Sequence, residues 1–313
     1  MNFQLLLLFV GLATLLFGTQ LAVSKALLVA RYYRLSNFFV GVVILALGSD
    51  LPELVVSINA ALHQFQGVET SSLIMGNMLG SSFGQVGLIM GITGLFGYLT
   101  LQRRQIYLHG GILLGALLYL ILASLDQYIT RVEGVILVLA FIIYLFMFFF
   151  DEKEQEVAQA MGKFQPVVTW LWLIAGMFLV IGGSELIVQS TVELAKMWGV
   201  SQSFIAIIII GIGSSLPELS ISITAVAKKQ GGMSVGNLIG SNIVDTLLPV
   251  GFAAMIHPLI VESSLVKIDM IALFVLSLLI LFMFRWRRGL QKKEAITLVL
   301  LYCGYLIYKL VTF

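Results

Sequence analysis

Gly48-Ser49-Asp50-Leu51-Pro52-Glu53-Leu54 returns later in the chain as Gly213-Ser214-Ser215-Leu216-Pro217-Glu218-Leu219, each copy inside an apolar segment. Both copies therefore carry a carboxylate into apolar surroundings. A charged side chain at the centre of a bilayer costs roughly 2.5–3.5 kcal/mol on insertion scales, so an acid kept there generally belongs to an ion or substrate pathway. A second pair of motifs lies downstream: Gly76-Asn77-Met78-Leu79-Gly80-Ser81-Ser82 is answered by Gly236-Asn237-Leu238-Ile239-Gly240-Ser241-Asn242. Upstream, Phe17-Gly18-Thr19-Gln20-Leu21 can be laid over Gly182-Gly183-Ser184-Glu185-Leu186 at the offset of the Pro-Glu motifs. The repeat unit is about half the chain.

With 59% hydrophobic and 11% charged residues among 313 positions, the composition excludes a soluble globule and indicates a polytopic, all-α membrane protein. A span needs ~20 apolar residues. Segments of that kind lie near 3–29, 38–62, 71–98, 105–125 and 131–150 in the first half, and near 166–195, 202–227, 232–257, 266–284 and 294–311 in the second. Ten transmembrane helices are expected, five per half. An odd number per half inserts the second half from the opposite side, which makes the halves inverted repeats, as in many secondary transporters. The expected division is 1–150, a first repeat; 151–165, a cytoplasmic connecting loop; and 166–313, a second repeat. The run at 3–29 has no basic stretch before it and is longer than a leader's apolar core, so it reads as an uncleaved first helix.

Of the 18 Lys and Arg, all but Arg131, Lys196, Lys267 and Lys309 fall in or beside the loops after the odd-numbered helices. The positive-inside rule makes those loops cytoplasmic and puts both termini outside or in the periplasm of a bacterial or archaeal plasma membrane. The acidic start of the connecting loop, Asp151-Glu152-Lys153-Glu154-Gln155-Glu156, reads as a solvated connector. Cys303 reads as a packed small hydrophobe, and His63, His109 and His257 as interfacial residues near helix ends.

Proline inside a helix removes one N–H and clashes with the carbonyl four residues earlier. That carbonyl belongs to Gly48 for Pro52 and to Gly213 for Pro217. Each helix should open there and expose main-chain oxygens beside Glu53 and Glu218. Ser49, Glu53 and Ser57, and likewise Ser214, Glu218 and Ser222, follow a spacing of four and share a helical face. Asn77, Ser81 and Gln85 make a similar stripe, matched by Asn237, Ser241 and Asp245. Glycines such as Gly76, Gly80, Gly236 and Gly240 are explained as well by close helix packing as by a direct role with ions.

All of these ligands are oxygens, with no His or Cys among them. Hard cations suit that set: Ca2+ accepts six to eight oxygens flexibly, Mg2+ demands a rigid octahedron, and zinc or copper would recruit His or Cys. Calcium, with sodium or another small cation sharing the site, is the expected cargo. A channel would also use acids and carbonyls but has no need of inverted repeats within a chain. A hydrolase is disfavoured because no His or Lys accompanies the serines to activate one as a nucleophile, and no Walker sequence points to ATP. Nothing indicates a cofactor, a nucleic acid or an obligate protein partner; inorganic cations and the bilayer are the expected partners.

The paired Gly-Ser-x-Leu-Pro-Glu and Gly-Asn-x-x-Gly-Ser signatures, in order in both halves, resemble those of the sodium/calcium exchangers of the cation/calcium exchanger superfamily. The resemblance covers essentially the whole chain. It implies ten helices with the second, third, seventh and eighth around a central cation site, and sliding first and sixth helices. It further implies that Glu53 and Glu218 are the central calcium ligands, and that Ser49, Ser214, Ser215, Ser81, Ser241 and Asp245 complete calcium and sodium sites. Exchange of Ca2+ outward against Na+ inward follows as the expected activity, with no enzymatic reaction.

The chain departs from that pattern at Asp50, where the family usually has Ser or Thr, at Gln85, where Asn or Asp is common, and at Ser82, where the second half keeps Asn242. Asp50 precedes Glu53 by three residues, so it should bring a fourth carboxylate to Glu53, Glu218 and Asp245. Four acids together in low dielectric cannot all carry charge at low cost unless cations occupy the site. Asp50 then binds an extra cation or alters selectivity, or is protonated in transport and makes the exchange H+-linked; a K+-assisted exchanger is a further alternative, and an Asp50 turned toward a local hydroxyl or water would have little role.

Overall fold

A computed structural model describes residues 2–32, 48, 50–100, 103–151, 166–227, 231–287 and 289–312. It is helical almost throughout, as required of a chain whose backbone polar groups must be satisfied within apolar surroundings. In chain order the helices are α1 (Asn2–Tyr32), α2 (Leu51–Gln64), α3 (Ser71–Phe96), α4 (Arg103–Ala123), α5 (Arg131–Asp151), α6 (Pro166–Trp198), α7 (Gln202–Ser214), α8 (Leu216–Ala227), α9 (Gly231–Ile256), α10 (Leu265–Trp286) and α11 (Lys292–Thr312). Among the described residues seven helices are long and apolar enough to cross a membrane, and an eighth span results if α7 and α8, bent by 40°, are one. Large apolar side chains such as Phe146, Phe178, Leu300 and Val311 lie exposed on the outer faces, where the hydrocarbon of a bilayer accommodates them. The part of the expected second helix before residue 48, the connecting loop at 152–165 and Ser49 lie outside the described residues.

Helices α2, α3, α7, α8 and α9 form the centre, with α6 against α2. Two backbone crossings hold this arrangement. Alpha-carbon hydrogens replace side chains where α3 crosses α7: a Cβ on Gly211 would stand 2.5 Å from the Cα of Gly80, and one on Gly80 would stand 2.6 Å from the carbonyl oxygen of Ile207. The second crossing joins α1 to α6, where a Cβ on Gly183 would lie 2.8 Å from the carbonyl oxygen of Gly11. Close approach of this kind gives helices dispersion contact in lipid, where no hydrophobic force drives them together.

Loops are stitched in two places. The segment after α4 and the segment after α9 form a two-stranded antiparallel sheet of β1 (Tyr128–Ile129) and β2 (Leu259–Ile260), with Ile129 opposite Leu259. The segments after α3 and α10 meet in an antiparallel bridge between Leu99 and Leu290. All four of Leu99, Ile129, Leu259 and Leu290 are fully buried.

Three of the long helices carry π-helical turns, at Gly84–Ile89 in α3, Ala206–Ile210 in α7 and Leu265–Met270 in α10. Such turns leave backbone groups out of the regular ladder and are frequent at functional sites. Cys303 departs from its expected packing: it is exposed, because α11 lies at the periphery and turns Leu300, Leu301 and Cys303 outward.

Candidate cation site

The two Pro-Glu motifs adopt one backbone solution. Asp50 has φ −89°, ψ 6° and Ser215 has φ −85°, ψ 9°, the sparsely populated bridge region that recurs at functional positions. A new helix starts immediately afterwards, at Leu51 and at Leu216. The proline therefore falls in a first turn, where its missing N–H costs nothing, and Glu53 and Glu218 also sit in that first turn, where the helix dipole favours negative charge.

The break is thus displaced from the expected position. The oxygen of Gly213 is approached by the backbone N–H of Ser215, so it is not left open by Pro217 as the motif suggested. The Ser215 hydroxyl donates to the oxygen of Gly211 at 2.8 Å, and the Ser214 hydroxyl to that of Ile210 at 2.9 Å. Local hydroxyls compete for carbonyls freed near a helix end, which a rule counting back four residues from proline does not capture. Gly213 itself is partly covered by Leu12 of α1, whose Cδ1 would be 3.2 Å from an added Cβ. Gly48 is buried.

The structure brings Asp50, Glu53, Glu218 and Asp245 together in the centre, each with 0–1% of its surface exposed. Around Glu53 the oxygens are knitted into the protein. Ser81 donates to Oε1 of Glu53 at 3.4 Å and makes a short hydrogen bond to Oδ2 of Asp245. The Gln85 amide donates to the same Asp245 oxygen at 3.0 Å and to Ser81 at 3.1 Å, and accepts from Asn242 at 2.7 Å. Ser215 donates to Ser81 at 3.2 Å, and Asn77 donates to the main-chain oxygen of Glu53 at 3.1 Å and to Ser57 at 3.3 Å.

The Glu218 side differs. Asp50 lies against Glu218 and Ser241 and near Glu53 and Asp245, but neither of its carboxylate oxygens, nor the Ser241 hydroxyl, has a hydrogen bond of ordinary length and angle. The second oxygens of Glu53 and Asp245 are in the same condition. The strongest electrostatic neighbours of Asp50, Glu53 and Asp245 are carboxylates, hydroxyls and the Gln85 amide, with no cationic side chain among them. Buried carboxylates with spare lone pairs and no cationic partner call for positive charge from elsewhere. Among the described residues no three acid, imidazole or thiol groups close into a tight metal cage; the acids are interleaved with hydroxyls and amides, so any ion held here would draw on both.

Several polar residues of this centre could not be assigned roles from spacing alone. The Gln85–Asn242 amide pair joins α3 to α9 across the repeat, and nothing in either motif predicts it. A buried charge pair, Asp269 with Lys309 at 2.7 Å, ties α10 to α11, and Tyr305 donates to the other Asp269 oxygen at 2.8 Å. Its signal was present as opposite charges in two otherwise apolar segments. His63, expected to be interfacial, bonds Glu185 of α6 at 3.0 Å beside Asn59. A cavity of about 360 Å³ opens elsewhere, lined by Glu69, Ser72, Lys196, Gln202 and Glu262 among others.

Known proteins resemble this chain in sequence and fold. A family model described as sodium/calcium exchanger protein matches residues 3–150 and 168–311. The putative antiporter CaxA of Alkalimonas amylolytica is 32% identical over 314 residues, covering 95% of each chain. The sodium/calcium exchanger MaX1 of Methanosarcina acetivorans is 24% identical, covering 98% of this chain and 97% of its own. A structure of the sodium-calcium exchanger NCX_Mj soaked with 2.5 mM Na+ and 1 mM Sr2+ superposes with a TM-score of 0.66 at 26% identity, covering 97% of both chains. A family match along nearly the whole length, a relative of that similarity and a shared fold together mean that this chain belongs to the sodium/calcium exchanger family and is an integral membrane protein of cation/calcium exchange.

Proposed function

We propose that the protein is a secondary active antiporter that exports Ca2+ in exchange for Na+ by alternating access at the central carboxylate site. The observation that carries the reading is the cluster of four buried carboxylates, Asp50, Glu53, Glu218 and Asp245, in which the strongest electrostatic neighbours of Asp50, Glu53 and Asp245 are carboxylates, hydroxyls and an amide. Ser49, Ser81, Ser214, Ser215, Ser241, Gln85 and the main-chain oxygens of Gly48 and Gly213 are the groups proposed to complete the coordination. Ser81, Gln85 and Ser215 lie within hydrogen-bond reach of one another or of the acids, which supports their part in it.

Exchange rather than leak follows from charge. Buried carboxylates left unpaired cost several kcal/mol each, so an occluded state is reached readily only when enough cation is bound. The alternating movement is assigned to α1 and α6, whose backbones approach closely at Gly11 and Gly183.

The membrane architecture is proposed as ten spans in two inverted five-helix repeats, 1–150 and 166–313, joined by a cytoplasmic loop, with both termini outside a prokaryotic plasma membrane. With α7 and α8 taken as one, the eleven described helices make ten segments, eight of which are long and apolar enough by themselves to cross a membrane. The loop stitching supports the inversion: Leu99 meets Leu290, and Leu259, the match of Leu99 in the second half, meets Ile129. Each contact joins loops that this arrangement puts on one face.

The test is 45Ca2+ uptake into proteoliposomes loaded with NaCl and diluted into choline, KCl or a pH-jump buffer. Uptake driven by the outward Na+ gradient, and lost in Glu53→Gln and Glu218→Gln, is expected. Uptake following only the pH jump or only K+ would replace Na+ as coupling ion, and uptake indifferent to every counter-ion would indicate a channel.

A further inference from the structure

We propose that Tyr305 of α11 is a positioning residue for the central site: its ring, held by the Asp269–Lys309 pair, fixes the π turn of α3 from behind and so aims Gln85 at Asp245. This rests on the exchanger reading above and deepens it by giving a part in cation binding to a helix that carries none of the groups proposed to coordinate.

Gln85 is the second residue of the π turn Gly84–Ile89. Its amide donates to Asp245 and Ser81 and accepts from Asn242, so the turn sets the reach of three side-chain contacts. A π turn holds one residue more than a regular helical turn, and one residue advances a helix by about 100°. Relaxing the turn would rotate the part of α3 before it against the part after it by as much as that angle. The wide turn keeps Gln85 aimed only if contacts on both sides of it fix the rotation.

Helix α11 makes those contacts. Before Gln85, the Tyr305 ring stacks on Phe83 with centroids 3.9 Å apart and planes 15° from parallel. After it, Tyr302 covers Gly87, where an added Cβ would stand 3.0 Å from the Tyr302 Cβ, and Val299 covers Gly91, where the gap would be 2.7 Å. Phe83 lies two residues from both Ser81 and Gln85, about 200° round the helix. Tyr305 therefore presses on the face of α3 opposite to the one that carries the site, and Phe83, Ser81 and Gln85 are all buried.

The ring is itself anchored. Tyr305 and Lys309 are four residues apart and share a face of α11, and both reach Asp269: the hydroxyl donates to one carboxylate oxygen at 2.8 Å and the ammonium to the other at 2.7 Å. Asp269 stands in the π turn of α10. A buried ion pair is a poor source of stability when set against apolar residues of the same volume. Its directional bonds instead leave the Tyr305 ring one place to lie, against Phe83.

The experiment measures 45Ca2+ equilibrium binding to the purified full-length protein in sodium-free buffer, for the wild type, Tyr305→Leu, Tyr305→Phe, Gln85→Ala and Tyr305→Leu combined with Gln85→Ala. Tyr305→Leu is expected to weaken binding by about 3- to 10-fold, the scale of a change transmitted without ligand contact. Tyr305→Phe keeps the ring and should recover most of that loss. In the Gln85→Ala background, which retains all four carboxylates but has no amide to aim, Tyr305→Leu should change affinity by less than about 2-fold, because residues acting through one another are not additive. Unchanged affinity in Tyr305→Leu, an equal loss in both backgrounds, or a loss in Tyr305→Phe as large as in Tyr305→Leu overturns the proposal, since a helix brace with no share in the site acts alike whether or not Gln85 is present. Size-exclusion elution at the wild-type volume is required of each variant; should Tyr305→Leu fail it, Phe83→Leu removes the same stack from the α3 side and takes its place in the cycle. A wild type that binds Ca2+ but shows no Na+-driven uptake would defeat the exchanger reading while the binding cycle still decides the part of Tyr305.

Discussion

Replacing Lys309 with Met should destabilise the protein by about 3–5 kcal/mol, the range seen when one partner of a buried ion pair is removed. The Lys309 ammonium lies 2.7 Å from Asp269, and the two residues are 3% and 0% exposed. At that separation the direct attraction is ~6 kcal/mol for an effective dielectric constant near 20, before the cost of desolvating both ions is subtracted. The mutation leaves Asp269 charged and fully enclosed, held by the 2.8 Å hydrogen bond from Tyr305. Asp269→Asn together with Lys309→Met removes both charges, keeps an acceptor for Tyr305 and should recover most of the loss, because the penalty belongs to the unpaired charge. Thermal unfolding of the detergent-solubilised protein is the assay, with a fall of roughly 6–10 °C expected for the single variant on soluble-domain scaling and a much smaller one for the double. A single-variant loss below about 1 kcal/mol, the range of exposed pairs, or a double variant no more stable than the single, would refute the reasoning.

Three further outcomes follow from the geometry. Gly211→Ala places a Cβ 2.4 Å from the carbonyl carbon of Gly80 and 2.5 Å from the nitrogen of Ser81, so α3 and α7 must separate; a loss of about 1–3 kcal/mol in thermal unfolding is expected, with weaker Ca2+ uptake because Ser81 moves. Gly236→Ala, whose Cβ meets nothing within 4 Å, should leave both measurements unchanged, and a loss there equal to that of Gly211→Ala would show that the crossing is not the cause. His63→Ala should cost no more than about 1 kcal/mol in the same assay, since Glu185 is 38% exposed and partly solvated pairs contribute little; a loss of several kcal/mol would mean that the pair is shielded by more than the structure shows.

The family, the membrane class and the identity of the four acids were legible in the amino-acid sequence because they rest on local rules. A run of ~20 apolar residues has few options in a bilayer, and an acid repeated inside such runs marks a pathway. Glu53, Glu218, Asp50 and Asp245 could be nominated from spacing alone, since residues three or four apart share a helical face. The proline rule located the helix breaks only to within a few residues, because Ser214 and Ser215 turn their hydroxyls onto the carbonyls of Ile210 and Gly211, a choice made by nearby donors and not by proline.

What pairs with what across the molecule was decided by tertiary structure. Motif symmetry treats the two halves as equal, yet Gln85 of the first half is bonded to Asn242 and Asp245 of the second, while Asp50 keeps its oxygens without such donors. Spacing along one helix says which side chains share a face but not which partner that face meets 160 residues away. The glycines show the same limit. Gly80 and Gly236 sit in matching motifs, but the first is pressed against α7 and the second faces open space, because only the packing of whole helices determines where two backbones touch.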